Sequence, residues 1–339
     1  MRVGVFGAGA IGSFLGIRLS AAGVPVTLVG RSSLVQARDV LVALGVDGSE
    51  VKPGDDLVAV SEHAALAEVD ICLVSVKSRD TMNAARSLAE VLAPEAVVVS
   101  VQNGLRNPAR LREVLTQAVV PGMVSYNVLR EGAGGFRQAT SGPIVTGPGE
   151  GPAAAKMKEL AAAFVRAGDK FELRKRVGDV MCGKLLLNLI NGVCAVTGMT
   201  IAEAMRSRTV RWSFAQLMRE GLSVMHASGL RPATVLGIPP AAIARLLALP
   251  DAFVLRVAKK LVSIDPRAKS STLQDLEAGK ATEIDDLSGE IVRLAAKAGK
   301  PAPKNRVVVD VVHSIEIAAP PLPFLTPDEL RDRIAAAKA

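Results

Sequence analysis

The chain has 339 residues, of which 49% are hydrophobic and 22% charged, a composition typical of folded globular proteins and long enough for two domains. Its formal net charge is +8, yet the 41 Lys and Arg residues are spread along the whole sequence and only 3% of the residues are aromatic. Few stacking platforms are therefore available for nucleic acid, and we expect small anions as partners and no nucleic acid.

The cysteines and histidines exclude two further classes of protein. Three of each are present, and they lie far apart, unlike a disulfide framework or the ligands of a metal site, so we predict buried thiols and no metal. The chain begins without the pattern of a signal peptide, and no stretch reaches about 18 uninterrupted apolar residues. We expect a cytoplasmic protein with no membrane partner. The cysteines are Cys72, Cys182 and Cys194.

Short β-branched runs alternate with helical patterns in the first part of the chain. The predicted strands are Val3–Phe6, Val26–Val29, Leu57–Val60, Ile71–Val76, Val97–Val101 and Val119–Ser125. The helical patterns between them include Ile11–Ala22, Arg79–Leu92 and Leu105–Leu115. Strands that are apolar throughout are buried on both faces, so the pattern predicts a doubly wound parallel sheet, an α/β Rossmann domain.

The pattern changes after this region. Glycine-rich turns over residues 130–152 enclose two short strand-like pieces, which we interpret as a hairpin at the sheet edge. A helix over Pro152–Ala167 and a strand over Phe171–Leu173 complete the domain, and the sequence then becomes helical throughout. We expect a Rossmann domain over residues 1–175, an all-α domain over residues 176–339, and an active site in the cleft between them. The predicted helices are Val180–Val196, Ile201–Ser228, Ala241–Leu249, Leu273–Lys280, Ile284–Ala298 and Lys304–Ile317.

A glycine-rich sequence, GAGAIG, follows the first predicted strand directly and begins a helix. Gly7 permits the tight turn, Gly9 lets the backbone approach a pyrophosphate, and Gly12 lets the helix pack on the strand. In this strand–loop–helix setting the motif predicts a dinucleotide site. The predicted cofactor contacts are Gly7, Ala8, Gly9, Ala10, Ile11 and Gly12.

The residue after the second strand indicates which dinucleotide binds. NAD enzymes usually carry an acidic residue there for the ribose hydroxyl, but this chain has Arg31 followed by Ser32 and Ser33. A cation with hydroxyl groups favours the 2′-phosphate of NADPH or NADP⁺. The competing interpretation is an exposed, solvated arginine.

Polar residues interrupt a leucine-rich helix in the second half. Lys184, Asn188 and Asn191 are spaced at i, i+4 and i+7 and therefore share one face. A buried ammonium or amide group needs a partner, which suggests a cleft that binds an anionic or carbonyl ligand. A solvated stripe on a surface helix explains the composition equally well.

Further polar residues allow either a structural or a functional interpretation. Ser271 with Gln274 forms a capping-box pattern, and Thr282 could cap a helix whose first turn contains Glu283; taken singly, capping is favoured. Lys77 and Asn103 follow the fourth and fifth strands, at the edge where open α/β sheets bind ligands and where polar loop tips are also common.

Taken in order, these motifs resemble the ketopantoate reductase family over roughly residues 1–300. The resemblance implies NADPH-dependent reduction of 2-dehydropantoate (ketopantoate) to pantoate, a step toward pantothenate and coenzyme A. It implies Lys184 as general acid and Glu283 as the carboxylate that orients the substrate. The motifs are the glycine loop, Arg31, Lys77, Gln102-Asn103-Gly104, Lys184 with Asn188, Ser270-Ser271 with Gln274-Asp275, and Thr282-Glu283-Ile284-Asp285.

The same resemblance assigns the remaining site residues. It implies that Lys77 and Asn103 lie near the nicotinamide and the substrate, and that Asn188, Asn191 and Ser271 bind the substrate, a small 2-oxo acid. Two alternatives stay open at this point: a D-2-hydroxyacid dehydrogenase that acts on a different 2-oxo acid, and a non-catalytic dinucleotide-binding regulator.

The chain departs from the family pattern at three places. Ala268 stands where members often carry an asparagine, Gly192 follows Asn191 where another family pattern has proline, and the C-terminal extension is rich in Ala and Pro. These departures leave the identity of the 2-oxo acid open. The sequence does not fix the oligomeric state, for which a homodimer is one option.

Overall fold

The structure is a computed structural model, and it describes residues 1–235, 237–251 and 269–338. It divides into two compact units, Met1–Val177 and Gly178–Ala339, called here the N-terminal and the C-terminal unit. The domain boundary expected from the sequence, between residues 175 and 176, stays a prediction.

The N-terminal unit is built on an eight-stranded sheet with the order β12-β11-β8-β7-β6-β1-β2-β5. The five pairs from β5 to β8 along this order are parallel, β8 pairs antiparallel with β11, and β11 pairs parallel with β12. The strands are β1 (Val3–Phe6), β2 (Val26–Val29), β5 (Leu57–Val60), β6 (Ile71–Val74), β7 (Val97–Ser100), β8 (Ala118–Val124), β11 (Ile144–Thr146) and β12 (Phe171–Leu173).

Alternate residues of the central strands enter two different hydrophobic cores. In β6, Ile71 and Leu73 belong to one core, whereas Cys72 and Val74 belong to the other. Both faces of the sheet are thus buried, which explains why these strands are apolar throughout. The predicted Rossmann architecture is confirmed.

Helices cover both faces of this sheet. Phe14 and Met157 lie in the first core, and Leu88 and Leu111 lie in the second. The helices of the unit are Ala10–Ala21, Ser32–Gln36, Thr81–Val91, Asn107–Arg112 and Pro152–Arg166.

The predicted edge hairpin is present, but its placement was wrong. β9 (Val128–Glu131) and β10 (Gly135–Gln138) form an antiparallel hairpin that belongs to a separate four-stranded sheet of order β4-β3-β10-β9. β10 pairs parallel with β3 (Val42–Leu44), which pairs antiparallel with β4 (Glu50–Val51). The main sheet is instead extended by β11. Strands as short as β3 and β4 carry too few residues to show an alternating pattern.

The helices and turns of the described C-terminal unit are joined by loops, and it contains no β-strand among its described residues. One predicted helix divides at Ser207, whose hydroxyl accepts a hydrogen bond from the Val210 N–H and so begins a new helix. The helix predicted from Ile284 begins instead with a short 3₁₀ turn, Ile284–Asp286. The α-helices are Val177–Thr197, Ile201–Arg206, Arg208–Ala227, Pro240–Leu247, Ser271–Glu277, Ser288–Lys297, Pro303–Glu316 and Pro327–Ala336.

Glycines bring these helices close together. A Cβ atom on Gly221 would lie 2.8 Å from Leu186 Cδ2 and 3.4 Å from Ile291 Cδ1. A Cβ on Gly192 would lie 2.6 Å from Val308 Cγ1 and 3.1 Å from Ile284 Cδ1. The glycine that departs from the family pattern is therefore a packing position in this chain.

The helix Val177–Thr197 is the one helix in the described parts of the chain that is long and apolar enough to cross a membrane. Its most apolar window has a mean hydropathy of 1.6, and 61% of that window is buried in the protein. Central helices of folded domains pass the same test of length and composition, so this is weak evidence for a membrane span.

Candidate functional site

Four of the predicted cofactor positions follow neighbouring strands. The order β7-β6-β1-β2 places the loops with Asn103, Lys77, the glycine sequence 7–12 and Arg31 side by side. All four strands are parallel, so these loops lie at the same edge of the sheet. The chain runs from β1 outward to β5 and returns to β6 on the other side of β1, which makes this edge a topological switch point.

The three glycines of the loop differ in how much space a Cβ atom would have. Gly7 has φ +90°, and a Cβ on it would lie 2.8 Å from the Val76 backbone nitrogen. A Cβ on Gly12 would lie 2.9 Å from the Gly7 oxygen, within the contact of helix and strand. For a Cβ on Gly9, the nearest atom found among the described residues is the Gly7 oxygen, at 3.8 Å. Gly9 thus faces open space at the start of the helix.

This open space fits a dinucleotide pyrophosphate. The Gly7 and Ala8 N–H groups donate to the Val29 oxygen at 3.0 and 2.9 Å, which anchors the loop to β2. The helix then begins at Ala10, and the first amides of a helix have no acceptor within the helix. Such amides and the helix dipole attract phosphate, and the absence of a side chain on Gly9 leaves room for it.

Arg31 lies at the predicted end of β2. It is exposed and directly precedes the short helix Ser32–Gln36, so Ser32 and Ser33 are its neighbours at the helix start. An exposed guanidinium beside two exposed hydroxyl groups can bind a phosphate monoester.

The loops after β6 and β7 are joined by buried polar side chains. Asn107 Nδ2 donates to the Asn103 oxygen at 2.6 Å and to Ser78 Oγ at 2.9 Å. Thr81 Oγ1 donates to Asn107 Oδ1 at 3.0 Å, and Gln102 Nε2 donates to Thr81 Oγ1 at 2.8 Å and to the Val76 oxygen at 3.0 Å. These bonds fix the backbone on both sides of Lys77 and at Asn103.

Sequence reasoning missed most of this network. Gln102 appeared only as part of a family motif, and Asn107, beside Pro108, looks like an ordinary helix start. Its burial, with 1% of its surface exposed, is what distinguishes it.

In the C-terminal unit, Lys184, Asn188 and Asn191 are partly exposed on the helix Val177–Thr197. Leu185 and Leu189, on other sides of the same helix, are buried. The structure therefore places the three polar residues on one accessible stripe, as their spacing predicted. Whether the stripe binds a substrate stays a prediction.

The ammonium group of Lys184 differs from that of an ordinary surface lysine. Burial lowers its pKa from 10.5 to about 8, and the negative charge of Glu283 acts in the opposite direction. In the folded chain the charge of Glu283 therefore acts on Lys184, although the two residues are far apart in the sequence. A lysine with a pKa near neutrality is suited to general acid catalysis.

The capping interpretation of Ser271 was wrong. The N-cap of the helix Ser271–Glu277 is Ser270, whose hydroxyl accepts a hydrogen bond from the Leu273 N–H at 3.2 Å. Ser270 also donates to the Asn191 oxygen at 3.2 Å. Ser271 is exposed, and the Asn191 amide donates to its hydroxyl at 3.5 Å. Ser270 therefore joins the helix start to the polar stripe, and the Ser271 hydroxyl lies beside Asn191.

The N-cap of the 3₁₀ turn Ile284–Asp286 is Glu283, so the capping role predicted for Thr282 was wrong. The Thr282 hydroxyl accepts a hydrogen bond from the Ile284 N–H at 3.2 Å, and the Thr282 N–H donates to Glu316 Oε1 at 2.7 Å. The contact with Glu316 could not be read from the sequence, because the two residues are 34 positions apart. Ala268, the other departure from the family pattern, lies outside the described residues.

Comparison with protein families identifies two matching models. Residues 3–151 match the model of "Ketopantoate reductase PanE/ApbA", and residues 176–316 match that of its C-terminal region. Curated relatives include 2-dehydropantoate 2-reductases from Archaeoglobus fulgidus, 27% identical over 93% of this chain, and Halobacterium salinarum, 28% identical over 92%. Each alignment covers 98% of the relative.

Solved structures show the same likeness. A PanE/ApbA family ketopantoate reductase from Ralstonia eutropha is 32% identical with a TM-score of 0.78, covering 93% of this chain and 98% of that one. D-Mandelate dehydrogenase, solved with NADH and anilino(oxo)acetate, has a TM-score of 0.76 over 93% of this chain and 98% of its own. At 20% identity this second likeness establishes the fold alone.

Proposed function

Because the chain belongs to the ketopantoate reductase family, a family of dinucleotide-dependent oxidoreductases, we propose that it reduces 2-dehydropantoate (ketopantoate) to pantoate with NADPH. The observation that carries the proposal is Lys184 on the polar stripe, whose pKa burial lowers to about 8 while the charge of Glu283 acts in the opposite direction. Reduction of a carbonyl group requires a proton donor, and Lys184 can serve as one near neutral pH. The reaction would provide pantoate for pantothenate and coenzyme A.

Lys184 performs the proton chemistry. Bound NADPH supplies the hydride, and negative charge then develops on the C2 oxygen of the substrate. The Lys184 ammonium donates a hydrogen bond to this oxygen, stabilises the charge and transfers its proton. Glu283 supports this role because its carboxylate raises the pKa of Lys184 against the effect of burial and so keeps the ammonium protonated.

The residues beside Lys184 orient the 2-oxo acid. The amides of Asn188 and Asn191 and the hydroxyl of Ser271 offer hydrogen bonds to its carboxylate and hydroxyl groups. Asn103 and Lys77 act from the edge of the sheet, toward the nicotinamide and the substrate, on loops that the buried polar network holds.

The residues at the sheet edge favour NADPH as the cofactor. The loop from Gly7 to Gly12 receives the pyrophosphate, and Arg31 with Ser32 receives the 2′-phosphate. A cytoplasmic location and a small-molecule substrate as the partner belong to the same proposal.

A substrate panel tests this function. The oxidation of NADPH is followed with ketopantoate and with smaller and bulkier 2-oxo acids, and each assay is repeated with NADH. The highest kcat/KM is expected for ketopantoate with NADPH. Turnover of a different acid alone would assign the chain to the D-2-hydroxyacid dehydrogenases, and dinucleotide binding without any turnover would indicate a non-catalytic regulator.

A further inference from the structure

The turn that carries Glu283 is held by a neighbouring helix. We propose that Glu316, the last residue of the helix Pro303–Glu316, is a positioning residue that keeps Glu283 beside Lys184. This inference rests on the proposed function, in which Glu283 and Lys184 act together.

Glu316 fixes the backbone immediately before Glu283. Its Oε1 atom accepts the Thr282 N–H at 2.7 Å, a short bond to a charged acceptor. The Thr282 hydroxyl in turn accepts the Ile284 N–H at 3.2 Å. The half-buried Glu316 carboxylate therefore restrains the Thr282 amide directly, and the Thr282 hydroxyl restrains the Ile284 amide on the other side of Glu283.

A second contact from the same helix lies after Glu283. His313 Nε2 is 3.2 Å from Asp285 Oδ2, and His313 precedes Glu316 by three residues, about one helical turn. The side chains of His313 and Asp285 are 45% and 64% exposed, so their pairing contributes little energy. Glu316 is the stronger of the two restraints.

The helix of Glu316 also packs against the helix of Lys184. Val308, on the helix Pro303–Glu316, is fully buried. Its Cγ1 atom would lie 2.6 Å from a Cβ atom on Gly192. The Cδ1 atom of Ile284, next to Glu283, would lie 3.1 Å from the same Cβ. One packed unit thus includes the lysine helix, the Glu283 turn and the helix that ends at Glu316, and close-packed interiors transmit small displacements.

The position of Glu283 affects catalysis through its charge. The attraction between two charges falls with their separation, so a turn that moves away weakens the support for the protonated lysine. Misplacement by about 1 Å, even when it arises away from the chemistry, can lower a rate by about 100-fold.

The test compares Glu316→Ala with Glu316→Gln. Alanine removes the acceptor for the Thr282 N–H, whereas the glutamine amide oxygen can still accept it. We expect kcat of Glu316→Ala to fall by about 10- to 100-fold with little change in the KM for NADPH, and Glu316→Gln to restore most of the loss. If alanine prevents folding, Glu316→Asp, which withdraws the carboxylate by one methylene, is expected to lower kcat in the same way.

Glu220→Ala is the matched control. Glu220 accepts the Lys304 and Asn305 N–H groups at 3.0 and 2.7 Å, at the other end of the same helix. A general loss of helix stability would lower kcat equally in Glu220→Ala and Glu316→Ala, and that result would overturn the positioning role. A wild-type kcat in Glu316→Ala, or in the aspartate variant where alanine does not fold, would also overturn it.

Hydrogen exchange separates this inference from the proposed function. If the wild-type protein reduces no 2-oxo acid, the proposed function fails. The hydrogen-exchange rates of the Thr282 and Ile284 amides then test the role of Glu316 independently. Faster exchange of these amides in Glu316→Ala than in Glu316→Gln would support the restraint on the turn. Equal exchange in the two variants would overturn it.

Discussion

The glycine loop of the N-terminal unit and the polar stripe of the C-terminal unit are built in opposite ways. The loop is made of six consecutive residues, and its geometry comes from the backbone and from the missing side chain of Gly9. The stripe takes its chemistry from the side chain of Lys184 and from Glu283, which the fold brings near it. A backbone site can be recognised from a short motif, whereas a side-chain site depends on contacts between distant parts of the chain.

The two sites also differ in the physical property on which their function depends. Binding at the loop depends on space, because a methyl group on Gly9 would enter the region open to a phosphate. Chemistry at the stripe depends on charge, because burial disfavours the ammonium form of Lys184 and Glu283 favours it. Substitutions should therefore separate binding from turnover.

The largest effect is expected from Lys184→Ala. Loss of the proton donor should lower kcat by about 10²- to 10⁴-fold, while the Kd of NADPH, measured by calorimetry, should remain near that of the wild type. Lys300→Met, a change at an exposed lysine after the helix Ser288–Lys297, is the control and should keep full activity. A loss of NADPH binding in Lys184→Ala would contradict the assigned role.

Gly9→Ala should produce the opposite pattern. A Cβ at this position meets no described atom closer than 3.8 Å, so the Tm should hardly change, but the affinity for NADPH should fall by roughly 10- to 100-fold as amide–phosphate hydrogen bonds are lost. Gly7→Ala, where φ is +90° and the Val76 nitrogen would lie 2.8 Å away, should lower the Tm as well. Wild-type affinity in Gly9→Ala would show that the pyrophosphate does not bind there.

A smaller change, confined to cofactor preference, is expected from Arg31→Ala. Loss of a charge-assisted contact with the 2′-phosphate should raise the KM for NADPH by about 10-fold and leave the KM for NADH nearly unchanged. Arg38→Ala removes a nearby arginine that is 66% exposed and paired with Asp39, and it should change neither value. Equal effects on both cofactors would argue against a role for Arg31 in discrimination.

The sequence predicted the central sheet well because its strands are apolar throughout and separated by helical patterns. Four of the predicted strands have the observed bounds: Val3–Phe6, Val26–Val29, Leu57–Val60 and Phe171–Leu173. The four-stranded sheet was missed because β3 and β4 have three and two residues and pair with a hairpin far along the chain. Local pattern carries no information about such pairing.

In the candidate site, too, local sequence pattern predicts some features of single residues and misses those that depend on long-range packing. The spacing of Lys184, Asn188 and Asn191 predicted their common face, since that face depends only on the helix period. The N-cap was placed one residue too late, at Ser271, because adjacent serines offer the same hydroxyl and only the backbone conformation distinguishes them. The contact of Glu316 with Thr282 depends on how two distant segments pack, and no local pattern records it.

The pH dependence of kcat/KM for the 2-oxo acid at saturating NADPH tests whether Lys184 is the proton donor. The protonated form of Lys184 is the active one, so activity should be present below its pKa and should be lost as the pH rises through about 8. Above that point, kcat/KM should decline by about tenfold for each pH unit. A profile that stays flat up to 10.5, the ordinary pKa of a lysine, would contradict the claim that this partly buried lysine is the proton donor.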